Sequence, residues 1–517
     1  MGPPRFELGT TRSSAERSPS LSYGPPRALP TSSGSEVINS TPGILPVMEE
    51  EIQHALDTVL AKHARFADIR LERGYATAID LRDNVFREMS YGIDQGLGVR
   101  VLYEHSWGFS AANELQPGAI LASFEDALKI ARALSIAKSA RQTAPITIAA
   151  AAAIRDQFTL TPKLRPEDVG IAEKKQMVKD AYDAAKSHSE RIKSISILYL
   201  DGYEEQIYAN SEGSYLVLRT PAVFLRAGVV AKKGAVLQEG RESIGAVAGF
   251  EFIQAEDAVQ VAVKAADKAV RLLDAELPPA GALPVIMDSQ LTGVFMHEAL
   301  GHAAEADHVL YGESILRDKL GEGIAFEGLT VADDPTIPHS HGYYRYDDEG
   351  LPGRRTELIR DGVLVSYLHS RETAGRLDAE PTANARAADY SELPLVRMSN
   401  TVIDEGDWQF EEMRESIEVG IYAKGMRGGQ VDTVQGEFQF SAEEAFLIEH
   451  GTLTKRLKNV ALSGRTLDVL GLIDAVGRDQ KRGTIGFCGK DGQEVPVSEY
   501  APHVRVKQIM VGGSSAE

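Results

Sequence analysis

The chain has 517 residues, 43% hydrophobic and 25% charged, the proportions of a globular protein with room for two or three domains. Its 55 lysines and arginines against 75 aspartates and glutamates leave a net charge of −20, which argues against nucleic acid or an anionic membrane as the main partner. One cysteine, Cys488, excludes an intramolecular disulfide. The longest apolar run, Ala144 to Ile154, is about half of the roughly 20 residues that span a bilayer, so a soluble cytoplasmic protein is expected.

Residues 1–47 hold 8 of the 23 prolines and nine serines, with no apolar period. They are expected to be a disordered tail or a mis-called start with Met48 as the first residue, because an amphipathic pattern begins at that point. Arg5-Phe6-Glu7-Leu8-Gly9-Thr10 also looks like the peptide produced by translating across a transfer-RNA gene.

Residues 48–276 read as an amino-terminal α/β domain. Glu49 to His63 has helical period, with Ile52, Leu56, Val59 and Leu60 on one face. Strands are expected at Ala67–Glu72, Thr77–Leu81 and Gly98–Tyr103, then a helix over Phe124–Ala140. Pro166-Glu167 opens a third helix, to about Ser187. Ser194–Asp201, Glu204–Asn210, Ser214–Thr220 and Val223–Ala231 read as further strands, and Ala255–Leu273 as a strongly periodic helix. Helix, strands, helix occurs twice, which suggests an internal duplication. Gly92-x-x-x-Gly96-x-Gly98 has neither a following helix nor a Lys-Ser/Thr, so it reads as a tight turn rather than a phosphate loop.

Leu277-Pro278-Pro279-Ala280-Gly281 is a linker. Residues 282–517 are strand-rich and mainly antiparallel, giving an α+β protein overall. Arg360-Asp361-Gly362 and Glu449-His450-Gly451 are hairpin turns.

The chemistry concentrates in Met296-His297-Glu298-Ala299-Leu300-Gly301-His302. A strand over Leu283–Met287 runs into Asp288-Ser289, good N-cap residues, and Leu291, Val294, Phe295, Ala299 and Leu300 follow at helical spacing. The zinc helix H-E-x-x-H places its histidines four apart. Here they are five apart, which leaves the second imidazole roughly 140° round a regular helix from the first. A π-bulge or a broken last turn would let them converge, and Gly301 lowers the cost of that distortion. Catalytic zinc sites offer three protein ligands and keep one position for water. The residues alone leave the third ligand open among Glu305, His308, His339, His341 and Cys488.

His297-Glu298-Ala299-Leu300-Gly301-His302-Ala303-Ala304-Glu305-Ala306-Asp307 resembles the H-E-x-x-x-H signature of the TldD/PmbA family of zinc metallopeptidases, in its TldD-type, metal-bearing branch. Cys488-Gly489-Lys490-Asp491-Gly492-Gln493 is similar to that family's closing C-G-K-x-G-Q block, and the G-G-Q-V-D of Gly428-Gly429-Gln430-Val431-Asp432 to another. Arg397-Met398-Ser399-Asn400-Thr401, Val511-Gly512-Gly513 and Trp107-Gly108-Phe109, a glycine-aromatic turn, match further blocks. The departures are the amino-terminal tail and Phe487 before the cysteine. The resemblance implies His297, His302 and Cys488 as ligands of one Zn2+, the sulfur as thiolate. Glu298 is then the general base that takes the proton of the attacking water and hands it to the leaving amine. It also implies peptide substrates and pairing with a PmbA-type subunit, or a homodimer.

Other residues keep two readings. Gly428 to Asp432 are either an edge that holds substrate as an added strand or an ordinary sheet turn. Glu305 and Asp307 either fix a histidine tautomer or cap the helix end. Arg354-Arg355 either bind a substrate carboxylate or form a solvated hairpin. The alternative to a zinc peptidase is a non-catalytic partner or regulatory subunit, against which the intact set His297, Glu298, His302 and Cys488 argues. A nucleic-acid-associated modulator meets the −20 charge.

Overall fold

The computed structural model describes residues 21–22, 48–139 and 146–513. The tail over residues 1–47 thus lies outside the described residues, apart from Leu21–Ser22.

The amino-terminal half is built on one seven-stranded sheet. Its central pair is Phe66–Arg82 against Ile192–Asn210, antiparallel from Asp68↔Asn210 to Arg82↔Ser196. Val85–Tyr103 and Ser106–Ala112 extend it on one side and Tyr215–Lys233 and Val236–Ala246 on the other, with Arg155–Thr159 also on Tyr215–Lys233. Odd-numbered side chains such as Ile69, Leu71, Ile79 and Leu81 are buried under helices. Glu49–Ala61 and Pro117–Ser139 cover one half, Ile171–Ser187 and Ala258–Leu272 the other. Each half is a three-strand meander with flanking helices, in line with the repeated order in the sequence. The even-numbered face is polar and meets the carboxy-terminal half: Arg100 bridges Asp68 and Glu349, the latter at 3.1 Å, and Gln206 reaches Asp348 at 2.9 Å.

Several expected breaks are absent. Thr77–Leu81 continues Ala67–Glu72 in one strand, as do Ser194–Asp201 with Glu204–Asn210 and Ser214–Thr220 with Val223–Ala231. Pro221 sits in a strand interior without losing a ladder bond. Arg155–Thr159 pairs up to Arg219 and Val236–Ala246 only from Val223, so that edge is open at the proline. Gly92, Gly96 and Gly98 are not a turn but lie within Val85–Tyr103. A Cβ on Gly98 would stand 2.0 Å from the Tyr390 carbonyl oxygen, so glycine here admits a loop of the other half. Trp107-Gly108-Phe109 is likewise strand, and the Gly108 backbone lies against the helix at Ala127. The helix expected from Ala255 starts at Ala258 because Asp257, at φ +57°, breaks it from Phe250–Glu256 and caps it through Val259 N and Gln260 N. Val236–Ala246 is a strand with no counterpart in the sequence reading.

In the carboxy-terminal half, Val419–Val431, Gly281–Met287, Val504–Gly513, Val460–Arg465 and Glu437–Glu449 pair in that order, and the last pairs back onto the first, closing a barrel. A second sheet runs Lys481–Lys490, Gln493–Ala501, Asn400–Ile403, Val331–Asp333, Thr356–Arg360, Val363–Leu364. Most pairings are antiparallel; Asn400–Ile403 with Gln493–Ala501 and Gly281–Met287 with Val419–Val431 are parallel. The helix Ser289–Met296 lies between barrel and sheet. Leu291, Val294, Phe295 and Met296 are buried, and Phe295 stands edge-on to Phe438 at 5.2 Å. No helix among the described residues is long and apolar enough to cross a membrane.

Candidate metal centre

Asp288 starts the helix by accepting from Leu291 N at 2.9 Å, and it ties the same end to the barrel through Gly425 N at 2.9 Å. The α-helix runs Ser289–Met296, and His297–Gly301 form one π turn, followed by a 3-10 turn over His302–Ala304. The π turn is the distortion that the five-residue spacing demands, because it adds a residue between the two imidazoles. Gly301 serves a different end from the one expected. Its backbone is ordinary right-handed helix at φ −59°, but a Cβ there would meet Met398 Sδ at 2.0 Å.

One ligand-competent atom from each of His297, His302 and Cys488 lies within 4.8 Å of the others, and all three residues are fully buried. Cys488 comes from 186 residues further along and sits 3.4 Å from His302 Nε2. It lies in a strand, Lys481–Lys490. The far nitrogens of the imidazoles are engaged elsewhere. His302 Nδ1 lies 3.1 Å from Glu305 Oε2 and His297 Nδ1 lies 3.3 Å from Thr401 Oγ1. With both Nδ1 atoms committed, the Nε2 atoms face the cysteine, and His297 Nε2 has no hydrogen-bond partner among the described residues.

Burial alone would raise the Cys488 thiol, but His302, Arg397 and His297 outweigh it and hold the thiol well below its usual range. Arg397, itself fully buried, donates to the Cys488 carbonyl oxygen. Burial opposes charge on His302 and His297 in turn, and Cys488 more than compensates, raising both. Two buried imidazoles around one buried sulfur, with an orphaned ring nitrogen, fit a borderline-soft divalent ion such as zinc.

Behind His302, Lys490 binds Glu305 at 3.1 Å, Asp307 at 2.7 Å and the Val396 carbonyl at 3.0 Å. Burial would raise Glu305, but Lys490 and His302 prevail and lower it. Glu305, Asp307 and His308 also cluster closely enough for a cation, and the Lys490 ammonium already occupies that role. Lys490→Met is expected to leave the buried Glu305 charge short of its partner and destabilise the fold by about 3–5 kcal/mol. Chemical denaturation of zinc-free protein measures this, and adding Glu305→Gln to the same variant should return most of the loss.

Glu298 is 1% exposed, with Oε2 3.9 Å from His302 Nε2, beside the donor trio rather than in it. A second carboxyl is close by. Glu499, fully buried, pairs in register with Thr401 and packs on Gly293, one turn before His297. Neither of its oxygens has a hydrogen-bond partner among the described residues, and burial pushes it up to about 8. Nothing in the sequence marks Glu499. Thr401 and Lys490 were within reach, since both fall in blocks that carry the family resemblance.

The remaining candidates lie elsewhere. His339 reaches the Val247 carbonyl at 3.1 Å, and His308 faces Glu305 and Glu313 at 3.6 Å each. His341 is buried among aromatic rings. Arg355 is held by Asp404 at 2.8 Å and Arg354 by the Pro381 carbonyl at 2.7 Å. Gly428 to Val431 end a barrel strand, paired on one edge with Phe438 to Ser441, and Gln430, Val431 and Asp432 border a cavity of about 590 Å³.

Such a donor set with a carboxylate alongside fits a metal-dependent hydrolase. Residues 280–513 match the family model for the PmbA/TldA metallopeptidase C-terminal domain, 164–273 its central domain and 67–133 domain 1. The chain belongs to the PmbA/TldD family of metallopeptidases. It is 45% identical to a metalloprotease of Methanocaldococcus jannaschii over 85% of this chain and 95% of that protein. It is 31% identical to a zinc metalloprotease TldD homolog of Saccharolobus solfataricus, over 87% and 97%. The crystal structure of TldE from Thermococcus kodakarensis shares the fold, with a TM-score of 0.72 at 19% identity over 90% of this chain and all of that one.

Proposed function

We propose that the chain is a zinc-dependent peptidase of extended peptides, in which His297, His302 and Cys488 hold the ion and Glu298 is the general base. The convergence of the three donors within 4.8 Å carries this reading. Zinc bound by such a set lowers the pKa of a coordinated water toward about 7. Glu298, anchored on the π turn, takes the proton and delivers it to the departing amine. Thr401 and Glu305 keep the imidazoles oriented, and burial keeps bulk water from the charged groups.

The peptide lies extended, as an added strand. The barrel strand at Gly428, Gly429, Gln430, Val431 and Asp432 is the edge assigned to it; a Cβ at Gly428 would meet nothing within 4 Å, so that backbone is open to approach. The catalytic assembly is a pair, with a PmbA-type subunit or a second copy, in a reducing compartment that keeps the Cys488 thiolate free. Removing metal with a chelator should abolish cleavage of an unstructured reporter peptide, and one equivalent of zinc should restore it. Cleavage that persists in protein shown to be metal-free would end the proposal.

A further inference from the structure

On the face of the amino-terminal sheet turned toward the other half, a cavity of about 260 Å³ opens around Glu72, Glu204 and Gln206 beneath the segment 341–348. A second, of about 320 Å³, continues from it across Thr220 and Ala222. This trough follows the gap at Pro221, where Tyr215–Lys233 has no partner strand on that edge among the described residues. Six carboxyls line it: Glu72, Asp94, Glu204, Asp347, Asp348 and Asp389. The arginines at hand are committed. Arg70 faces Glu72 at 3.3 Å, Arg386 donates to the Met398 carbonyl and lies over Tyr344, and Arg345 lies over Tyr346.

Acidity alone is no site, but the wall adds two things. His341 lines the first cavity, is 5% exposed, and neither ring nitrogen has a hydrogen-bond partner among the described residues. Phe224 stacks on its ring at 5.5 Å and Phe487, next to Cys488, stands edge-on at 5.2 Å. Burial, Arg386 and Arg482 hold it down at about 3, so it is a neutral imidazole with a lone pair to offer. Phe158 and Tyr343, 6.5 Å apart, add aromatic surface to the same cavity.

We propose that this trough binds a cationic group of a peptide, a lysine or arginine side chain or a free amino terminus. The carboxyls supply the field, the His341 lone pair accepts from the ammonium or guanidinium, and the Phe158 and Tyr343 rings take its apolar stem and charge. Burial and then neighbouring carboxylates raise Glu72 well above its ordinary value and Glu204 to about 7, and a cation between them offsets that repulsion and lets both ionise. The ligand being a peptide rests on the peptidase reading; the preference for positive charge rests on the trough alone.

Metal-free protein is titrated with two fluorescent heptapeptides, both acetylated at the amino terminus, one with a central lysine and one with that lysine acetylated. The lysine peptide is expected to bind about tenfold more tightly, with the difference shrinking in high salt. Glu204→Gln, at an exposed position, and Tyr343→Leu should each reduce the ratio to about threefold or less, with the unfolding midpoint unchanged. Equal affinities, or a preference that both variants leave intact, overturn the proposal. Zinc-loaded protein is then assayed for cleavage of the same peptides: a lysine preference without cleavage keeps the trough and refutes the peptidase reading instead.

Discussion

Glu298→Gln is expected to lower kcat for peptide cleavage by about 10²–10⁴-fold while the zinc content stays at the wild-type level. Glutamine keeps the shape of a side chain that is 1% exposed, so the variant removes basicity without opening a void. The two readouts separate base from ligand. A ligand lost to glutamine would take the metal with it, whereas a base outside the donor trio would not. Glu499 provides the internal control. It is the other carboxyl near His297 and stays protonated to about pH 8, because burial and the neighbouring Glu298 charge outweigh the pull of His297. A group already carrying its proton at neutral pH cannot take another from water. Glu499→Gln should therefore cost far less in kcat than Glu298→Gln. The reverse order, measured on the same reporter peptide, would reassign the base to Glu499.

The meeting of His297 and His302 was legible where local geometry constrained it. Imidazoles five positions apart conflict with a regular helix, and that conflict called for a π-bulge or a broken last turn; the structure has the π turn, at His297–Gly301. The N-cap at Asp288 followed from its side chain and the apolar period after it. What failed was the extent of individual strands, which pairing at a distance sets. Asp201-Gly202 and Thr220-Pro221 look like turns to a reader of local signals, yet both lie inside strands of 19 residues. Neighbouring strands impose extension there regardless of propensity. Val236–Ala246 was missed because charged residues at Glu239, Arg241 and Glu242 hide its alternation; Arg241 bonds to Glu239 at 2.7 Å along the edge. Closure of the barrel depends on Val419–Val431 meeting Glu437–Glu449 as well as Gly281–Met287, a fact of register that no single stretch encodes.

Cys488→Ala is expected to reduce bound zinc from about one ion per chain to below about a tenth after dialysis, and to abolish zinc-induced stabilisation. In the wild type a ligand at a hundred times its Kd adds about 2.7 kcal/mol to stability, so the thermal midpoint should rise on adding zinc and fall with a chelator. The sulfur matters more than its size suggests. It is the only donor of the three that becomes an anion, and His302, Arg397 and His297 hold its thiol well below the usual range against the cost of burial. Two neutral imidazoles in the same dry pocket would have to hold a doubly charged ion with no compensating charge of their own. Cys488→Asp, which restores an anion without the soft sulfur, should recover part of the zinc. Full retention of zinc by Cys488→Ala would send the search to Glu305, Asp307 and His308. That site would then have to expel Lys490 from hydrogen bonds at 2.7 and 3.1 Å, and Lys490→Met should tighten zinc there instead of weakening the fold.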